Sequence, residues 1–262
     1  MPDMFDERIV EAYTRFWSDY SMGMVGSFWK LVRKHSISPG ALADVACGDG
    51  TFLSRVADSI PWVCGVDQSA AMLRAAKKNE LARRKVLAAA GTPMRCEVVW
   101  LEADMREFEL PRSVDVVTCW YNSLNYMLTV QDLSRALDQI RESLRPGGFL
   151  LCDVYTRQGM ASEWQDRTWV AVDADDCYVS SRTRYDPHDG LGEVHFTGFL
   201  RDDEGRYERF DETHQNRAYP LDTLESAFRA AGFDICEVLT IPRLKAGSEQ
   251  DSRVAIVAAA VG

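Results

Sequence analysis

No apolar run in this 262-residue chain approaches the ~20 residues that a bilayer-spanning helix needs. Nor is there an excess of basic charge: 40 acidic side chains against 30 basic ones leave a net charge of −10 at neutral pH. The first lack argues against a helical membrane span, and the second disfavours nucleic acid as a partner on bulk electrostatics. The seven cysteines, at 47, 64, 96, 119, 152, 177 and 236, are an odd set without a C-x-x-C pair. They read as buried thiols of a reducing compartment, so neither a disulfide framework nor a metal site is expected. The opening MPDMFDERIV has no basic region, apolar run or small-residue cleavage site, and a cytoplasmic location is the expectation. One basic run remains, Lys77, Lys78, Arg83, Arg84 and Lys85, and its plain reading is a solvated helix face.

What is present is an alternation of short Val/Ala/Leu runs with longer amphipathic ones, the pattern of βαβ units building a parallel sheet. Strands are expected at 41 to 46, 62 to 66, 97 to 101, 114 to 119 and 148 to 154. Helices are expected near 51 to 59, 69 to 90, 105 to 109 and 130 to 144, the last stopped by Arg145-Pro146-Gly147-Gly148. From 160 to 217 polar and apolar residues alternate between the turn-forming DPHDGLG and RDDEGR, as in antiparallel hairpins. A helix from Leu221 to Ala231 and the runs FDICEVLTI and SRVAIVAAAV complete the chain. The fold class is therefore α/β: a Rossmann-like, doubly wound, mostly parallel seven-stranded sheet with a small antiparallel β insertion after strand five. The expected organisation is an aromatic-rich helical lid (1–40), a ligand-binding core (41–160), the insertion as a cap (161–217) and a terminal part of the core sheet (218–262).

The stretch ALADVACGDGTFL places a glycine turn between a strand and a helix, where free N–H groups and the positive helix end meet a ligand. A dinucleotide site would carry a third glycine where Leu53 stands. Asp44 and Asp49 would also set like charge against a pyrophosphate. A phosphate-free adenosyl ligand bearing a sulfonium and an ammonium suits those carboxylates, and S-adenosyl-L-methionine fits that description. Asp67 follows Gly48 by 19 residues, the spacing of a ribose-binding acid. The next strand end, Leu101-Glu102-Ala103-Asp104-Met105, offers an acid for the adenine amino group beside apolar residues for its ring.

These residues resemble the class I S-adenosylmethionine-dependent methyltransferases of the small-molecule type. LADVACGDG stands for the family's first motif, with Asp49 where threonine is common, and LRPGGFLLCDVY for its strand after the fourth helix. The resemblance implies that Asp44, Ala46, Cys47, Gly48 and Gly50 surround the methionine part and Asp67 and Gln68 the ribose. It implies Met72 on the adenine face, Ala103, Asp104 and Met105 at its edge, and Cys119 and Trp120 closing the end of strand four. Tyr13 and Tyr20, spaced as in YTRFWSDY, resemble tyrosines that cover the cofactor's carboxylate, and YNSLNYM the segment that meets small substrates.

Methyl transfer asks the protein to align nucleophile, methyl and sulfur and to exclude water. An alcohol acceptor needs a base, and His214, where the insertion rejoins the core, is the candidate; a histidine satisfied on a hairpin is the alternative. His35, His188 and His195 read as structural. Tyr121, with Asn122 and Asn125, follows strand four and is placed to position an acceptor or to stabilise its loop. Arg182 and Arg184 alternate on one strand face, open to a substrate anion or to solvent. The C-W-Y-N-S there is not the Asn/Asp-Pro-Pro-aromatic run of nucleic-acid amino-methyltransferases. A small-molecule acceptor is expected, methylated at N or O; an RNA or protein acceptor, and a non-catalytic S-adenosylmethionine-binding protein, are the alternatives.

Overall fold

The computed structural model describes residues 5–93 and 95–261. Two helices open it, α1 (Glu7–Phe16) and α2 (Asp19–Lys34), so the aromatic-rich stretch is broken at Trp17-Ser18. Asp6 starts α1 by accepting from the N–H groups of Arg8 and Ile9. Then follow β1 (Ala41–Val45), α3 (Thr51–Val56), β2 (Trp62–Asp67), α4 (Ala70–Ala89), β3 (Glu97–Glu102), β4 (Val114–Cys119), α5 (Val130–Ser143) and β5 (Leu144–Tyr155). Ser69 and Thr129 cap α4 and α5 through their side-chain oxygens. A short helix α6 (Arg157–Glu163), capped by Thr156, leads into β6 (Arg167–Ala174), β7 (Cys177–Asp186), β8 (Leu191–Arg201) and β9 (Tyr207–Arg217). Helix α7 (Leu221–Ala230) and strands β10 (Phe233–Thr240) and β11 (Arg253–Ala260) close the chain.

The main sheet has seven strands in the order β10-β11-β5-β4-β1-β2-β3, and β11 runs antiparallel to both neighbours. Because β1 lies between β2 and β4, the strand order reverses there, and the loops after both strands open a crevice at the same edge. Helices α5 and α7 cover one face with Leu133, Leu137, Ile140 and Phe228; α2 and α3 cover the other with Phe28, Leu31, Phe52 and Leu53. The insertion is a separate four-stranded antiparallel sheet, β6-β7-β8-β9, and α1 packs Ile9 and Ala12 against its Val179, Leu200 and Phe210.

Two local expectations are corrected. Residues 105 to 109 form no helix: the Asp104 carboxylate accepts the Arg106 N–H at 2.8 Å, a side-chain turn that displaces helical bonding. Helix α6 went unread because its seven residues are too few for a clear period. The basic run on α4 is partly neutralised in place, with Arg83 paired to Asp58 and Glu80 and Arg84 to Glu80. Among the described residues no helix is long and apolar enough to cross a membrane.

Candidate active site

The ends of β1 to β5, helix α1 and the inner face of the insertion enclose a cavity of about 590 Å³. At its floor the turn after β1 bends sharply, with Ala46, Gly48 and Gly50 at φ of 57°, 55° and 69°. Asp67 holds this turn to β2, its carboxylate accepting the Gly48 N–H at 2.8 Å and the Ser69 N–H at 2.9 Å. Burial raises its pKa and those backbone donors oppose the rise. Asp44, 3% exposed, accepts from the Thr118 hydroxyl through Oδ1 at 2.6 Å, and among the described residues no donor reaches its other oxygen. Burial, reinforced by Asp67 and opposed by Thr118, pushes the Asp44 carboxyl up to about 7. A half-partnered buried carboxylate of this kind is a seat for a cation.

Asp104 is engaged more fully than its sequence context suggested. Arg106 donates to both of its oxygens, at 3.0 and 2.6 Å, and reaches Asp132 at 2.9 Å. Those hydrogen bonds hold the Asp104 carboxyl below its ordinary range.

Of the residues singled out from sequence, Tyr13, Asp44, Ala46, Cys47, Gly48, Asp67, Gln68, Met72, Ala103, Asp104, Met105, Trp120, Tyr121 and His214 line this one cavity. Others do not. Gly50 turns its Cα against Trp100, whose ring a Cβ would meet at 2.6 Å. Cys119 is wholly buried in the core beneath β4. Tyr20 points behind the cavity wall, donating to Asp153 Oδ2 at 2.9 Å and stacking on Tyr121 with centroids 4.5 Å apart. Asp49 is likewise absent from the wall: it accepts the Thr51 N–H at 3.1 Å, as a starter of α3.

The upper half of the cavity is aromatic, with Phe5, Tyr13, Trp17, Tyr121, Tyr126, Tyr155, Trp164 and Phe196 on its wall. Tyr121 and Asn122 have left-handed backbones, φ 61° and 52°, a conformation that costs of order 1–3 kcal/mol for such residues. Asp153 holds them there by accepting the Tyr121 N–H at 2.6 Å and the Asn122 N–H at 3.2 Å. Arg253 completes the support, donating to Asp153 at 3.2 Å and to the Asn122 side-chain oxygen Oδ1 at 3.1 Å, and lies over the rings of Tyr20, Tyr121 and Tyr155. Asn125 bonds the Tyr155 and Arg217 backbones, so it joins β5 to β9.

His214, 1% exposed, projects inward from β9. Its Nδ1 is 3.2 Å from the Tyr126 hydroxyl and its Nε2 is 2.9 Å from Glu212 Oε1. The Nε2 contact is close but not aligned as a linear hydrogen bond, and so acts chiefly through charge. Arg182 and Arg184 lie on the exposed face of β7, opposite the buried Ser181 and Thr183. His195 shares that outer side with Thr213 and Asp211, His188 sits in a turn, and His35 pairs with Glu237 far from the cavity.

Sequence reasoning missed Tyr126, Glu212, Asp153 and Arg253. Asp153 and Arg253 carried one faint signal, a single charge in each of two apolar runs, LLCDVY and SRVAIV. Glu212, His214 and Asn216 carried another, since their i, i+2, i+4 spacing puts all on one strand face.

A family model described as a methyltransferase domain matches residues 42–148. A protein of Geobacillus sp. (strain WCH70), provisionally named a methyltransferase, is 32% identical over 218 residues, covering 83% of each chain. The dTDP-3-amino-3,6-dideoxy-alpha-D-glucopyranose N,N-dimethyltransferase of Streptomyces fradiae is 27% identical over 78% of this chain and 74% of its own. A crystal structure of an S-adenosylmethionine-dependent methyltransferase from Clostridium acetobutylicum superposes with a TM-score of 0.77 at 20% identity, over 97% and 98% of the two chains. With the glycine turn, the acid-lined floor and the seven-stranded order in agreement, the chain belongs to the class I S-adenosylmethionine-dependent methyltransferases.

Proposed function

We propose that the enzyme methylates a nitrogen or oxygen of a small-molecule acceptor by in-line displacement. The observation that carries this reading is the cavity of about 590 Å³, lined by the core, α1 and the insertion, a volume that suits small ligands and not a folded macromolecule. The relative from Streptomyces fradiae, an N,N-dimethyltransferase by name, favours nitrogen.

The residues present fit the cofactor. Asp44 would take its ammonium, Gly48 with Ala46 and Cys47 its methionine backbone, and Asp67 and Gln68 its ribose. Met72, Ala103, Met105 and Asp104 would hold the adenine. Tyr13 remains a partner for its carboxylate, and Trp120 joins it, because the Trp120 indole N–H is buried on the cavity wall without a partner among the described residues. When bound, the cofactor supplies an electrophilic methyl group on a sulfonium. The chain's own contribution is orientation and dryness: Tyr121, fixed by Asp153, forms the wall facing the acceptor, and the aromatic roof excludes water.

The test is an assay of the purified enzyme with S-adenosylmethionine against pooled small amines, alcohols and amino sugars. Mass spectrometry is expected to find products heavier by one or two methyl groups. Methyl incorporation only into RNA or protein would reject the small-molecule reading.

A further inference from the structure

An amine acceptor arrives largely as an ammonium and must lose a proton before its lone pair can attack. The cavity wall holds a chain of groups suited to that task. Tyr126 lines the cavity, its hydroxyl 3.2 Å from His214 Nδ1, and His214 Nε2 faces Glu212 Oε1 at 2.9 Å. Although this contact is not aligned as a hydrogen bond, the negative charge of Glu212 2.9 Å away favours the proton of a neutral His214 on Nε2 over Nδ1. Nδ1 is then a lone pair, free to accept from the Tyr126 O–H. Asn216, on the same face of β9 as His214, has its amide oxygen fixed by the Asn122 amide at 2.8 Å. Glu212 is itself held in place: the same Oε1 accepts the Phe5 N–H at 2.5 Å, and Oε2 accepts the Asp6 N–H at 3.3 Å. The Phe5 ring, 4.6 Å from the imidazole, seals the pair from solvent.

We propose that Tyr126, His214 and Glu212 form a proton relay serving the acceptor, an inference that rests on the methyltransferase reading above. The acceptor's ammonium gives its proton to the Tyr126 oxygen as the hydroxyl proton passes to His214 Nδ1. Tyr126 ends neutral, the acceptor becomes a neutral amine, and its positive charge is carried by the imidazolium beside the Glu212 carboxylate. Burial raises the Tyr126 hydroxyl above its ordinary pKa, so the two proton movements are concerted and no free phenolate forms. Tyr126 and His214 are catalytic residues; Glu212, which does not line the cavity, is a positioning residue. Among the described residues the groups in contact with the imidazole are Glu212 from β9, Tyr126 after β4, Phe196 from β8 and Phe5, and of these only Glu212 is charged. The imidazolium proton returns to solvent after product leaves.

The test is ¹⁵N NMR of the histidine side chains in the protein loaded with S-adenosylhomocysteine. The chain has four histidines, and His214→Gln identifies the signals of His214 by their loss. The relay predicts an Nε2-protonated His214 at pH 8, with an Nδ1 resonance that moves in Tyr126→Phe. In Glu212→Gln, where the amide both donates and accepts, both tautomers should be visible. On the acceptor found in the pooled assay, Tyr126→Phe should lower kcat about a hundredfold while KM changes less than twofold. A proton on Nδ1, or a Tyr126→Phe enzyme with unchanged kcat and Nδ1 resonance, would overturn the relay. Failure of the methyltransferase reading looks different: no S-adenosylhomocysteine binding and no methylated product with the unmodified enzyme.

Discussion

At the residue scale the most informative group is Asp44. Its carboxyl is raised by burial to about 7, so the folded, unliganded protein binds this proton more tightly than the unfolded chain does. Stability from this group is therefore present in full below the ordinary carboxylate range and is lost as pH rises to about 7. A bound cation reverses the balance by favouring the ionised form. Affinity for the cofactor should accordingly fall as pH drops below about 7, approaching tenfold per unit, and Asp44→Asn should flatten that dependence while binding at least tenfold more weakly at pH 8. The same variant should melt several degrees higher than the unmodified protein at pH 8 when neither carries ligand, because a buried charge has been removed. Calorimetry at pH 6, 7 and 8 with thermal melts checks both halves; a variant that binds as well as the original would remove Asp44 from the site. Asp67→Ala combines two effects, since its carboxylate also holds the Gly48 and Ser69 N–H groups. Weaker cofactor binding with a lower Tm is expected, and unaltered affinity in titration would remove Asp67 from the ribose position.

At the scale of elements, the turn between β1 and α3 is fixed by shape as much as by charge. Gly50 is left-handed at φ 69°, and a Cβ there meets the Trp100 ring at 2.6 Å and Ala76 at 3.0 Å. Gly50→Ala should destabilise the fold by about 2 kcal/mol or more, from backbone strain plus overpacking, read as a drop in denaturation midpoint. An unchanged midpoint would show that Trp100 yields freely. This turn was legible because its glycines, flanking apolar strand and downstream acid all lie within a short stretch of chain. The direction of each side chain was not: Asp49 and Asp44 read alike in sequence, yet one starts α3 and the other faces the cavity. Tyr20 was similarly placed by spacing, but the break between α1 and α2 and the pull of Asp153 turn it behind the wall.

At the scale of the whole molecule, the proposed acceptor wall depends on partners a hundred residues apart. Asp153 in β5 and Arg253 in β11 pair across the sheet and hold the left-handed Tyr121 and Asn122, with Tyr20 of α2 bonded to the same carboxylate. The pair is wholly or nearly buried, so removing one member leaves a charge without compensation. Arg253→Met should cost about 3–5 kcal/mol, and adding Asp153→Asn should restore at least 1 kcal/mol of that loss in chemical denaturation. Additive losses would mean that the two residues do not act as a pair. No local pattern announces such a contact, because it exists only once β11 has inserted beside β5. The sheet order, by contrast, follows from the alternation of strand and helix. The antiparallel insertion was visible as period-two patterning, but the cavity that it and α1 line with the core arises from packing of elements far apart in sequence.

The floor of this cavity suits a cationic, phosphate-free adenosyl donor. The most direct measurement is calorimetric titration of the purified protein at pH 8 with S-adenosylmethionine and, separately, with NAD. S-adenosylmethionine should give a one-to-one isotherm, at least tenfold weaker in Asp44→Asn, and NAD no heat of binding. Saturable binding of NAD with none of S-adenosylmethionine would contradict it.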